Sequence, residues 1–294
     1  MKFLKNWTLP IAMLVGALGY KVMDYLSVIT PYLIFTMLLL TFSKISLRDL
    51  RPRLSHLYLL CIEIIGAIAI YYLLAPFDPI VAQGMMICII CPTATAAAVV
   101  TGKLGGNVAS ITTYTLLCNI AVAFVIPALF PIIAPSANHT SFWAAFSHIM
   151  GKIFPLLICP FLLAQLIRWL LPKINTKLTS ISGLAFYMWA IALTIAMGMT
   201  VRSLIEEPTD THTLILLSIG SLIACLFQFF TGKAIGKATN DTIACGQSLG
   251  QKNTILAIWI CSVYLNPATA LAPGLYVIWQ NIFNSTQLYL ARKK

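Results

Sequence analysis

Apolar stretches long enough to cross a lipid bilayer, about 17 to 25 residues each, follow one another along almost the whole chain. They fall roughly at 7–20, 25–43, 55–75, 79–101, 107–134, 142–166, 178–200, 212–232, 241–265 and 267–289, the first being short and holding Pro10. Hydrocarbon offers no hydrogen bonds, so each stretch has to satisfy its own backbone as a helix, and ten such helices predict an all-α membrane protein. Charge agrees: 19 Lys and Arg plus 8 Asp and Glu make 9% of 294 residues, where a soluble domain carries about a quarter.

The same argument removes other classes. All eight cysteines, Cys61, Cys88, Cys91, Cys118, Cys159, Cys225, Cys245 and Cys261, lie inside apolar runs and read as buried free thiols rather than a disulfide framework. Cys88-Ile-Ile-Cys91 has CxxC spacing but neither histidine nor carboxylate beside it, and His56, His139, His148 and His212 do not cluster, so no metal site is expected. The basic start Met1 to Asn6 leads into an apolar run without a small-residue cleavage site, and it reads as a retained first helix.

Basic residues near span ends stay in the cytoplasm. Ten spans put 15 on one side: Lys2, Lys5, Lys44, Arg48, Arg51, Arg53, Lys103, Arg168, Lys173, Lys177, Lys233, Lys237, Arg292, Lys293 and Lys294. The other side receives only Lys21 and Arg202, beside Asp24, Asp78, Glu206, Glu207 and Asp210. Miscounting one internal span would scramble this asymmetry, so both termini are expected in the cytoplasm. Topology thereby accounts for the net charge of +11, and no nucleic-acid partner is called for. The loops are too short for a second domain, which leaves a single membrane domain over 1–294.

Five spans plus five, divided near the connection Pro135 to Thr140, place the second half upside down relative to the first. That is the inverted-repeat plan of secondary transporters, with repeats of about 1–138 and 139–294. Trp7 and Pro10 in the first span are echoed by Trp143 and Pro155 in the sixth. Spans four and nine, at matching positions, are both rich in small and polar residues. In span four, Cys91-Pro92-Thr93-Ala94-Thr95-Ala96-Ala97-Ala98-Val99, Pro92 withholds a backbone donor and predicts a break. Span nine, Cys245-Gly246-Gln247-Ser248-Leu249-Gly250-Gln251-Lys252-Asn253-Thr254, is too polar to face lipid. Interrupted helices at midplane expose carbonyls and helix N-termini that hold ions and anions. The plainer reading of such segments is a small-residue packing seam, which a lysine does not suit.

At these residues the chain resembles the bile acid:sodium symporter family in its bacterial ten-helix form. Cys91 to Val99 aligns without a gap to the family's Cys-Pro-Gly-Gly-Thr-Ala-Ser-Asn-Val, keeping the motif threonine at Thr95, and the match extends through Gly106, Val108 and Ala109. Ser248-Leu249-Gly250-Gln251-Lys252-Asn253-Thr254 occupies the family's Glu-x-Gly-x-Gln-Asn-Ser. The resemblance implies a core of spans 3–5 and 8–10, with spans four and nine crossed, moving against a panel of spans 1, 2, 6 and 7. Alternating access of this kind carries an organic anion, either bile acid-like or a small keto or hydroxy acid, across an inner (plasma) membrane. A small organic anion and membrane lipid are the expected partners, and a homodimer is compatible with the plan. An enzyme is not expected, since no catalytic constellation lies within the spans.

The departures from the family pattern bear on its coupling ion. The Ser-Asn pair that supplies sodium ligands is Ala97-Ala98 here, and methyl groups cannot coordinate a hard cation. The bridging glutamate is Ser248 and the glutamine ligand is Lys252. A one-residue slide would instead set Gln247 and Gln251 at those places and Lys252 at the Asn, and in either register the bridging carboxylate is missing. No cofactor is expected: sodium is in doubt, and proton coupling stays open. Glu63, in span three, is the one acidic residue inside a span, and an intramembrane acid marks function by default. We therefore expect Glu63 and Lys252 to pair, the ammonium standing where relatives hold sodium, with a static strut as the alternative. In a third reading Lys252 meets the substrate anion directly. Thr112, Thr113, Thr115 and Asn119 of span five and Gln280, Asn281 and Asn284 of span ten would then complete the site, although Thr115 could equally bond back to its own helix. The candidate substrate- and ion-binding residues are Lys252, Glu63, Ser248, Gln251, Asn253, Thr254, Gln247, Thr95, Thr115, Asn119 and Asn281, with no confident metal ligand. A cation/proton antiporter-like exchanger and a non-transporting membrane receptor remain the alternative functions.

Overall fold

A computed structural model describes residues 11–134, 141–181, 184–206 and 209–292. Lys2, Lys5, Trp7, Pro10, the connection Pro135 to Thr140 with His139, Glu207, Lys293 and Lys294 lie outside the described residues.

The described residues are helical, apart from turns and one isolated antiparallel bridge between Thr93 and Lys252. The helices are α1 (11–18), α2 (Tyr20–Leu26), α3 (Thr30–Phe42), α4 (Leu54–Leu74), α5 (Pro79–Ile90), α6 (Ala97–Lys103), α7 (Val108–Ile133) and α8 (Phe142–Leu170). They continue with α9 (Pro172–Ser180), α10 (Leu184–Glu206), α11 (Thr211–Ala238), α12 (Thr242–Gly250), α13 (Thr254–Tyr264) and α14 (Leu271–Arg292). Polar residues at the starts satisfy orphan amides. Asp78 Oδ1 accepts from Ile80 and Val81, Asn107 from Ser110, Ser141 from Ala144, Asp210 from Thr213 and Asn253 from Leu256.

Among the described residues, six helical runs are long and apolar enough to cross a membrane: Tyr20–Phe42, Leu54–Leu74, Val108–Ile133, Phe142–Leu170, Tyr187–Glu206 and Thr211–Ala238. The other expected spans differ for identifiable reasons. The fourth is split into α5 and α6 and the ninth into α12 and α13, whose pieces are too short to count alone. The tenth, α14, is a full-length helix diluted by polar residues, of which Gln280 and Asn284 turn inward and are buried. The seventh, expected over 178–200, starts at Leu184 and reaches Glu206. The short polar helix α9 precedes it, and Arg202 extends its far end by pairing with Glu206 at 2.6 Å, one turn on.

Two sets of contacts mark the two ends of the bundle. At one, Arg53 before α4 lies 3.4 Å from Asp241 before α12, and His56 Nε2 sits 2.9 Å from Ser110 Oγ at the start of α7. At the other, Thr213 of α11 donates to Asp78 at 2.6 Å, and Asp24 pairs with Arg202. α3 and α8 are tied by Phe42 edge-on to Phe161 and by Arg168, which donates 2.8 Å to the Ser43 carbonyl. α4, α5, α7 and α11 to α14 surround the two interruptions, and most of the buried polar side chains lie on these elements.

Candidate functional site

The first interruption begins where the sequence requires it. Cys91, placed before proline, takes extended backbone (φ −61°, ψ 138°), and α5 ends at Ile90. From there the chain is unwound until α6 starts at Ala97. The second interruption is shorter, Gln251 to Asn253, and holds no proline. The two lie against each other: Ala94 donates its amide to the Gln251 carbonyl, and Asn253 donates to the Pro92 carbonyl, each at 2.8 Å.

Backbone groups freed inside a membrane have to be satisfied by protein, and here side chains from α11, α14 and the first interruption itself do so. Thr93 Oγ1 donates to the Ser248 carbonyl at 2.7 Å, and Tyr276 Oη donates to the Gly250 carbonyl at 2.9 Å. Gln228 Nε2 reaches both the Cys88 carbonyl and Tyr276 Oη at 3.0 Å, while Gln280 Oε1 accepts the Lys252 amide at 3.0 Å. The C-terminal ends of α5 and α12 and the N-terminal ends of α6 and α13 all converge on this crossing, two negative and two positive partial charges.

Lys252 lies in the second interruption, and its side chain runs into the bundle. Its Nζ is 3.0 Å from Glu63 Oε1, with the lysine 1% and the glutamate 0% exposed. Neighbouring helix α7 supplies two more donors to the carboxylate. Tyr114 Oη donates to Oε2 at 2.5 Å, and Cys118 Sγ to Oε1 at 3.0 Å. Tyr114 and Cys118 are four residues apart and so share one face of α7. Glu63 is thus held by an ammonium, a phenol and a thiol. Lys252 makes the ion pair but no hydrogen bond of good geometry, which leaves donor capacity on a buried ammonium.

Beside the crossing is a crevice of about 20 Å³, room for roughly one water. Thr95, Gln251, Lys252, Thr254 and Gln280 line it from the interruptions and α14, and Met37 and Trp189 close it from α3 and α10. Of the expected site residues, Thr95, Gln251, Lys252, Asn253 and Thr254 meet there, with Glu63 behind the lysine. Ser248 joins through its carbonyl, and Gln247 turns toward α14, donating to Asn284 Oδ1 at 2.9 Å. Thr115 donates to the Ile111 carbonyl of its own helix at 2.8 Å. Asn119 donates to the Thr115 carbonyl at 2.6 Å, leaving its buried Oδ1 without a partner. Asn281 donates to the Val277 carbonyl and does not line the crevice. Tyr114, Cys118, Gln228 and Tyr276 were not among the expected residues; Gln228, a lone amide in an apolar run, carried a readable signal.

At the positions where the resemblance implies sodium ligands, few side-chain oxygens are presented. The aligned positions Ala97 and Ala98 carry methyls, Thr115 Oγ1 is directed to its own backbone, and a fixed ammonium occupies the crossing.

The family model described as the SBF-like CPA transporter family matches residues 26–292. No curated protein matches the chain.

Proposed function

The chain belongs to the SBF-like CPA transporter family, a family of membrane transporters, and on that premise we propose that it is a secondary transporter of organic anions in which Lys252 replaces a bound sodium ion. In this reading ten spans form two inverted repeats of about 1–138 and 139–294, with both termini cytoplasmic in the inner (plasma) membrane. Spans 1, 2, 6 and 7 form the panel, and the crossing rocks against it. The substrate is bile acid-like or a small carboxylate, and the one-water crevice between the crossing and the panel side chains Met37 and Trp189 widens to receive it as the two parts rock apart.

The observation that supports this reading is the buried contact of Lys252 Nζ with Glu63 at 3.0 Å beside the interruptions. A buried charge pair is a poor source of stability, because desolvating two ions offsets most of their attraction. Its place at the crossing is better accounted for by function. The ammonium supplies one positive charge where relatives bind a cation, and it keeps unused donor capacity in a residue that lines the crevice. The test is uptake of labelled bile salts and keto acids into proteoliposomes, with sodium and pH gradients imposed separately. Uptake should persist when potassium replaces sodium and be lost in Lys252→Ala. Strict sodium dependence of the wild type, or equal sodium stimulation of wild type and Lys252→Ala, would overturn the replacement.

A cation/proton exchanger is the second reading, favoured by the lysine beside a buried carboxylate. It requires that sodium or potassium added outside acid-loaded vesicles raise their internal pH without any organic anion.

A further inference from the structure

A second cavity, of about 290 Å³, lies on the outer face of the bundle between α11 and α14, separate from the crossing. Its walls come from Leu222 to Lys233 on one helix and from Trp279 to Leu290 on the other, twelve residues and eleven helical steps each. At 1.5 Å per residue the groove is about 16 Å long, which suits much of an acyl chain.

Its polarity is graded. One end is apolar, with Leu222, Leu226 and Ile282, while the other holds Lys233, Thr286 and Gln287. Lys233 Nζ sits 5.0 Å over the Phe283 ring, which is itself stacked on Phe229 at 4.2 Å. The lysine stem rests on Gly246, where a Cβ would fall 2.7 Å from Lys233 Cγ. No carboxylate pairs with Lys233 among the described residues, and the exposed Lys237 follows one turn on. An unneutralised cation at the polar end of an apolar groove on a lipid-facing surface is complementary to one kind of molecule. We propose that this groove binds an anionic phospholipid, its phosphate on Lys233 with Thr286 and Gln287, and one acyl chain along Leu226, Phe283 and Ile282 toward Leu222.

The test uses full-length protein in detergent, titrated with phosphatidylglycerol or phosphatidylcholine and read by native mass spectrometry and thermal melting. Wild type should retain one phosphatidylglycerol and melt higher with it than with phosphatidylcholine. Lys233→Gln should bind phosphatidylglycerol about fivefold more weakly and lose the preference. Ile282→Trp, which fills the groove and keeps the charge, should weaken both lipids. Lipid-free melts of both variants establish that they fold, and Lys103→Gln, at a lysine that does not line the groove, should behave as wild type. The proposal is overturned if wild type shows no preference, if Lys233→Gln keeps it, or if Lys103→Gln loses as much. It also fails if this face proves to be a protein dimer contact that Ile282→Trp dissociates.

Discussion

The two interrupted helices lie against each other at the crossing, but they are made differently. In the first, the break is written into the local sequence: Pro92 withholds a donor, Cys91 is pushed into extended backbone, and the unwound residues that follow are small and neutral. In the second, nothing local forbids a helix from Gly250 through Thr254. That break is held from outside, by Tyr276 on the Gly250 carbonyl, Gln280 on the Lys252 amide and the paired Pro92 and Ala94. The first interruption is therefore set by its own sequence and the second by its neighbours, and it is from the second that Lys252 projects to Glu63. A charged group can be aimed by tertiary partners more accurately than by a proline, which only removes a hydrogen bond.

The largest expected effect comes from removing that charge. Lys252→Met leaves Glu63 buried with only Tyr114 and Cys118 as donors, and stripping one partner from a buried pair costs about 3–5 kcal/mol. Denaturant unfolding in detergent should register a loss of that size. The double variant Glu63→Gln with Lys252→Met should recover most of it, since Gln Oε1 still accepts from α7, while transport stays absent. Recovery of transport along with stability would make the pair a strut and erase the distinction between the two breaks.

Next is Gly250→Ala, which tests whether the second interruption depends on close packing. A Cβ there would fall 2.3 Å from the Phe229 ring, and that ring is pinned by its 4.2 Å stack on Phe283. Overpacking of this kind costs about 1–3 kcal/mol, and it should displace the Gly250 carbonyl from Tyr276. A melting temperature equal to wild type would mean that the second break yields as readily as a loop.

The helical class and the first interruption could be read along the chain, because hydropathy and Pro92 are local signals, whereas the second was expected from the polarity of its span and the family resemblance. Glu63 and Lys252 were legible too, as the one acid and one base placed at the centres of core spans. Their pairing was an inference from scarcity: residues 189 positions apart carry no local mark of contact. The shell around them was illegible for the same reason. Tyr114 is indistinguishable by sequence from an aromatic packed in an apolar core, and its acceptor lies 51 residues away. Thr115, Asn119 and Asn281 illustrate the converse. They are polar residues inside spans whose side chains bond the carbonyl one turn back, an option open to any Thr or Asn in a helix, which composition cannot tell from a ligand. The far end of α10 was missed because the Arg202 and Glu206 pair lets a helix run past the last apolar residue.

The smallest effect should follow Pro92→Ala, although proline is the plainest signal of a break in the sequence. To continue α5 through residue 92, the chain would have to give up the two 2.8 Å bridge bonds and the Thr93 hydroxyl bond to Ser248. It would also have to dislodge Lys252 from Glu63. Those contacts act together, so the break should survive without the residue that specifies it. The cost then reduces to the greater freedom of the unfolded chain, about 0.4–1 kcal/mol, and uptake should stay within a few-fold of wild type. A variant that melts higher than wild type and no longer transports would mean that α5 and α6 have fused. In that case the proline alone holds the first interruption open, and the crossing is only as secure as one missing hydrogen bond.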